Sequence, residues 1–413
     1  MLKKIFSRVM SDSLYRNSLY LMASTVVTAG FGFIFWILNA RLYTAEEIGI
    51  ATTIISGTAL IAQFSLLGLK NGIIRFLPES KTKNNKINTA SNIVTIVALA
   101  LSSLYIALLP LLSPKLLFLR GNVVYAFLFI IFALSFSLNQ LQEGIFIAHR
   151  STKYLLFKNV LWGIIKIALP ILLVGFGAFG IFFAFSLGSV ISFLLGLYFL
   201  IKTFNYTIAP VIKSDVIKKI GRYSLGDYLG IFFAEVPYFV IPLLIINHIG
   251  AKESAYYYID LQIATFLFMI PVTINQSLFA EGSNDEKNLK RHMKKAFLAT
   301  ACLMIPAILI TVTSGYFVLN IFGNLYAEQG LLLLRLLAVT GFFIAINDTG
   351  STYLHIKKKI KVYVVLNFIS ALLFVSLSVI LLPLNLFGIG LAALISKGSI
   401  SLVYLFLLRK IFL

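Results

Sequence analysis

The sequence predicts an all-α integral membrane protein of twelve transmembrane helices, built as two parallel six-helix repeats. Three observations predict it: composition, the number of apolar runs, and the placement of positive charge. The 413 residues are 59% hydrophobic and 12% charged, with a mean hydropathy of +0.95, so the chain cannot furnish an ordinary water-facing surface. A spanning helix needs about 20 mostly apolar residues. The runs that qualify are 17–39, 48–76, 89–112, 122–148, 155–175, 179–201, 224–247, 256–280, 296–322, 329–355, 360–382 and 387–409.

Charge sets the orientation. With odd-numbered loops outside, only Arg41, Lys115, Arg120 and Lys252 face outward, while the termini and even-numbered loops hold most of the 35 Lys and Arg. That is the positive-inside rule, and it places both termini in the cytoplasm of a multi-pass protein of the inner membrane. The net charge of +20 therefore reports topology and attraction to anionic lipid, not nucleic-acid binding.

The chain also repeats itself. Asn159, Gly180 and Lys202 recur at one common offset as Asn367, Gly388 and Lys410, and Arg16-Asn17-Ser18-Leu19 is echoed by Arg222-Tyr223-Ser224-Leu225. An ordered series at one offset indicates duplication. The expected organisation is a six-helix lobe at 1–201, a cytoplasmic hinge at 202–222 and a second lobe at 223–413. Six helices per copy makes the repeats parallel, related by an axis along the membrane normal.

The first span follows Lys3, Lys4 and Arg8 as a signal peptide would, but its apolar run is too long, so it is kept as a helix. Glu46 and Glu47 before span 2, and Glu253 before span 8, favour the positive end of the next helix. In span 2, Lys70 lies about 10 Å inside the cytoplasmic end, where it either snorkels to headgroups or lines a polar route. Arg75 follows it. Span 4 carries Asn139, Gln140, Gln142 and Glu143, a group too polar to face lipid.

Lys166 lies about halfway along span 5, too deep to snorkel, and a charge there costs several kcal/mol unless solvated or paired. Span 7 holds Asp227, Glu235, Pro237 and Pro242, the pattern of a broken helix of the kind that binds substrate or ions in transporters. Span 8 carries Asp260, Gln262, Asn275 and Gln276, span 10 Arg335, Asn347 and Asp348, span 11 Asn367, and span 12 Lys397. Glu235 and Lys397 lie at similar depths, about 16 and 15 Å in from opposite ends. Pairing them disposes of two costly charges, and the pair serves either structure or ion coupling.

The single cysteine, Cys302, excludes an intramolecular disulfide, and the four histidines fall at different helix ends, so no local metal cluster is formed. No phosphate-binding glycine loop is present and no cofactor is expected. A membrane glycosyltransferase or polymerase calls for a clustered acid/base or metal motif, which is not visible. A channel does not account for the prolines of span 7.

Asn17-Ser18-Leu19-Tyr20 with Gly30-Phe31-Gly32, the stretch Ala40-Arg41-Leu42-Tyr43-Thr44-Ala45-Glu46-Glu47-Ile48-Gly49, and Gly68-Leu69 with Gly72-Ile73-Ile74-Arg75-Phe76-Leu77-Pro78 carry a family resemblance. The chain resembles the polysaccharide-unit flippases of the multidrug/oligosaccharidyl-lipid/polysaccharide exporter superfamily over almost its whole length. The resemblance implies a V-shaped pair of lobes around a cavity that opens alternately to each side. It implies as substrate a polyprenyl-diphosphate-linked oligosaccharide, and as partners membrane lipid and the polysaccharide polymerase machinery. A monovalent cation or proton as coupling ion is left open, because Lys397 departs from a neutral helix 12. On this reading Arg16, Lys70, Arg75 and Lys166 meet the diphosphate, with Arg335 and Lys397 as further candidates. The alternative is an ion-coupled exporter of cationic compounds, for which Asp227, Glu235 and Asp348 supply acids.

Overall fold

In hydrocarbon each backbone amide needs an internal partner, so long apolar runs resolve into helices. The computed structural model describes residues 13–412, with side chains at 13–15, 215, 218–225, 227, 280, 284, 286 and 410–412 outside the description. Among the described residues there is no strand, and twelve helices are long and apolar enough to cross a membrane. The fourteen α-helices are α1 Ser13–Leu42, α2 Ala45–Leu66, α3 Leu69–Phe76, α4 Lys83–Leu112, α5 Leu117–Gly121, α6 Val123–Ala148, α7 Thr152–Leu172, α8 Gly177–Phe204, α9 Ser214–His248, α10 Ala251–Asn284, α11 Leu289–Asn320, α12 Asn324–Ile356, α13 Ile360–Ile380 and α14 Asn385–Phe412.

The expected role of Glu47 at the start of span 2 is met by a capping box: the Thr44 amide donates to Glu47 Oε2 at 2.8 Å and the Glu47 amide donates to Thr44 Oγ1 at 3.3 Å. Beside it, burial and then the Glu47 charge push the Tyr43 phenol up to about 12. Its hydroxyl is thus kept as a donor, to the Pro170 carbonyl at 2.7 Å.

Span 2 is not one helix, as the sequence suggested, but two. Leu67 (φ 47°) and Gly68 (φ 73°) are both left-handed and separate α2 from α3. The break lets Leu69, Ile73 and Leu77, all buried, turn into a cluster with Ile87, Val94, Leu141 and Phe146.

The chain divides into two compact units, 1–228 and 229–413. In the first, α1 packs on α7, α7 on α8, and α6 on α2, α3, α4 and α8; in the second, α12 packs on α10, α11 and α14, and α13 on α14. Duplication is visible in the backbone itself. Arg150 and Lys358 both have positive φ (52° and 56°), as do Gly177 and Asn385 (55° and 52°), at matching places in the two copies. A Cβ on Gly180 would stand 2.4 Å from the Leu173 carbonyl oxygen, and one on Gly388 2.0 Å from that of Leu381. The repeat thus retains glycine where each turn folds back on its own helix.

Part of the segment expected as the cytoplasmic hinge, 202–222, is held by hydrogen bonds to α4. Between α8 and α9, residues 205–213 lie against α4, where Asn84, Asn88 and Asn92 recur every fourth residue and so share one face. Asn84 Nδ2 donates to the Asn205 carbonyl (3.2 Å), Asn88 Nδ2 to that of Thr207 (2.9 Å), and Asn92 Nδ2 to those of Ala209 and Val211 (2.9 and 3.1 Å). Asn88 Oδ1 accepts from the Tyr206 hydroxyl (2.6 Å) and the Ala209 amide (3.1 Å). The first unit continues into α9 as far as Tyr228, whose hydroxyl donates to the Gln63 carbonyl at 3.0 Å. The division between the two compact units falls at 228/229, inside α9.

Candidate functional site

Helix α7 buries two lysines on one face. Lys158, Trp162, Lys166 and Pro170 recur every fourth residue and are all buried. Lys166, 4% exposed, holds its ammonium 5.4 Å from the centre of the Trp162 ring. That ring is fixed by its indole N–H donating to the Phe185 carbonyl at 2.9 Å. A cation over an aromatic face is worth up to about 2 kcal/mol when desolvated. It does not replace the water lost, and no carboxylate or hydrogen-bond acceptor contacts Lys166 among the described residues.

Lys158 is fully buried and donates to the backbone carbonyl of Asn139 (3.1 Å) and to its side-chain Oδ1. Asn139 Nδ2 passes the network on to Ser189 Oγ at 3.3 Å, and Asn159 Nδ2 donates to Ser24 Oγ at 3.0 Å. Sequence analysis did not single out Lys158, which lies near the cytoplasmic end of span 5. The signal that finds it is its spacing, one turn before Trp162 and two before Lys166.

Of the residues expected to meet the diphosphate, Lys70 and Lys166 are held inside the first unit, while Arg16 and Arg75 are exposed. Lys70 neither snorkels nor stands alone: its Nζ lies 2.7 Å from Glu143 Oε2, each side chain about a quarter exposed (27% and 26%). Gly144 provides the room, since a Cβ there would stand 3.0 Å from the Lys70 carbonyl oxygen and Cγ.

In the second unit Lys397 is buried, and the preferred pairing with Glu235 is not formed. Its Nζ donates to Ser370 Oγ at 3.2 Å and lies 5.8 Å from the centre of the Tyr238 ring. Glu235 and Asp348 both act on it through space, and neither makes an ion-pair contact. Ser370 and the ring occupy the ammonium in the carboxylates' place. Helix α14 is keyed to α12 by Asn347 Nδ2 donating to the Lys397 carbonyl (3.1 Å) and Ser401 Oγ donating to Asn347 Oδ1 (2.8 Å). Asn367 lies one turn before Ser370 on α13, its Nδ2 buried without a partner among the described residues. Arg335 is exposed, donating from Nε to the Val312 carbonyl at 3.1 Å. The side chain of Asp227 lies outside the described residues. No group of three or more His, Cys, Asp or Glu is placed to hold a metal among those described.

A lysine shared by two carboxylates gives a testable asymmetry. Lys397→Met should lower thermal stability in detergent by about 1–3 kcal/mol, because two acids lose their cation, and Asp348→Asn in that background should restore much of it. Additive losses would show that Asp348 and Lys397 do not interact.

A family profile described as polysaccharide biosynthesis protein matches residues 14–279, more than half of the chain. The chain belongs to this family. A second profile, MatE, matches residues 229–380 in the second unit. No curated protein sequence matches it closely. Among solved structures, the lipid II flippase MurJ in an inward closed conformation is similar with a TM-score of 0.79 at 17% identity, over 95% of this chain and 87% of that one. An inward-facing multidrug resistance MATE family transporter of the MOP superfamily matches with 0.73 at 15% identity, over 96% and 98%. A MOP superfamily transporter from Pyrococcus furiosus, described as having a binding pocket of reverse polarity, matches with 0.64 at 16% identity, over 96% and 95%. This member of the polysaccharide biosynthesis family thus shares the multi-pass, two-lobe transporter fold of flippases and drug exporters alike.

Proposed function

We propose that the chain is a flippase, moving a polyprenyl-diphosphate-linked oligosaccharide from the cytoplasmic to the outer leaflet by alternating access, for O-antigen, capsule or exopolysaccharide assembly. The observation that carries this reading is the buried ammonium of Lys166, which no carboxylate contacts among the described residues. A headgroup diphosphate supplies that charge, and the niche already holds the ammonium desolvated, so binding the anion does not require stripping its water again. Lys70, half-neutralised by Glu143, and the exposed Arg16 and Arg75 supply further positive charge in the same unit. The lipid tail stays in hydrocarbon while the polar head crosses. No covalent step is involved, and with no phosphate-binding loop in the sequence the driving force is an ion gradient, the membrane potential or the substrate gradient.

A second reading, export of cationic compounds, is favoured by Glu235 and Asp348 in the second unit. The two separate in vesicles reconstituted with the purified chain. Outward transfer of a defined polyprenyl-diphosphate sugar, with no accumulation of a cationic dye, is the expected result. Dye movement without sugar transfer would overturn the flippase reading.

A further inference from the structure

The Lys397 group leaves another acid of the second unit unaccounted for. Asp260 lies about 14 Å along α10 from its first residue, well within a span, and is 0% exposed. Neither of its carboxyl oxygens has a hydrogen-bond partner among the described residues. The carboxyl lies against Gly330 of α12, where a Cβ would stand 2.7 Å from Oδ1 and 2.9 Å from Oδ2, so only glycine leaves room for it. Two hydroxyls on the same pair of helices are equally unengaged: Tyr257, one turn before Asp260, and Tyr326, one turn before Gly330. Tyr256 holds the Tyr326 ring edge-on at 5.2 Å.

The charged residues of the surrounding helices are turned elsewhere. On α12, Glu328 accepts from Asn324, and Arg335 is exposed and bonded to Val312. On α11, Tyr316 bonds to Asn324, and the basic residues from Lys290 to Lys295 belong to the opposite end of that helix. On α10 itself, Lys252 is exposed and Glu253 half-buried near the helix start. Among the described residues no cation is in ion-pair contact with Asp260.

We propose that Asp260 is a proton-binding carboxyl built into the seam between α10 and α12, separate from the Lys397 group. An ionised carboxylate without donor or cation in this apolar seam costs several kcal/mol, and a bound proton removes most of that cost. Only the corollary, that this proton is the coupling ion, rests on the flippase reading.

The test is the infrared C=O stretch of protonated carboxylic acids, recorded on the purified full chain in detergent without substrate. Wild type minus Asp260→Asn should show a protonated carboxyl band at neutral pH that fades as pH rises. If Asp260→Asn does not fold, carboxyl-carbon labelling of aspartate in the wild type shifts the band instead. A featureless difference, with Asp260 ionised at neutral pH, would overturn the proposal. So would loss of the band on adding sodium or potassium at constant pH, which would make this a metal-cation site. Because no lipid-linked substrate is used, failure of the flippase assay leaves this result standing.

Discussion

Lys166→Met is expected to lose most outward transfer of the lipid-linked sugar, by about thirtyfold for a charge-assisted contact of about 2 kcal/mol, while the protein remains at least as stable as wild type. The two halves of that result have one cause. Lys166 is buried over the Trp162 ring with no carboxylate in contact among the described residues, so a neutral chain of similar length removes a desolvated charge without opening a cavity. Stability is then unharmed or raised. Transport suffers because the anion has lost its counter-charge. A purely structural lysine would show the reverse, with lowered stability and unchanged transfer per folded molecule. Lys166→Met with normal transfer would remove this residue from the route. Lys166→Arg should recover only part of the activity, because the planar guanidinium is bulkier than the ammonium in a niche closed by the indole and α1.

The second large effect concerns Lys158. Asn139→Leu should destabilise the first unit by about 2–3 kcal/mol, since it strips the side-chain acceptor from a fully buried ammonium and leaves one backbone carbonyl. Adding Lys158→Met to Asn139→Leu should recover much of that loss, because two apolar side chains then replace a half-satisfied polar pair. Melting of the purified variants in detergent measures both. If the double variant melts no higher than Asn139→Leu alone, the bond between these residues is not what the asparagine provides.

The twelve spans were legible because apolar length alone dictates them, and the duplication was legible because Gly180 and Gly388 mark a backbone approach that tolerates no side chain. The break after α2 was not. Gly68 inside an apolar run is compatible with a continuous helix, and Leu67 gives no hint of a left-handed backbone. What turns the chain there is the burial of Leu69, Ile73 and Leu77 against residues far away in sequence. The ion pair of Lys70 with Glu143 was hidden for the same reason. Lys166 announced itself by depth, whereas Lys158, near the end of its span, looked like any cytoplasmic lysine. Glu235 and Lys397 matched in depth, but depth says nothing about azimuth, and Ser370 and Tyr238 claimed the ammonium. Asp260 was visible as an acid in a span, but not that it stands without a partner.

The asparagine ladder of α4 removes slack from the one loop that looked loose. A tether bolted along its length cannot swivel, so under the proposed transport cycle the flexing passes to the rod that follows. Beyond Tyr228 that rod meets Gly230, pressed so close to Tyr363 that a Cβ would stand 2.0 Å from the ring, and then Pro237, which omits a backbone hydrogen bond. Within the second unit, Pro237→Ala would restore that backbone hydrogen bond and should stiffen α9, so under the proposed transport cycle it is expected to slow transfer.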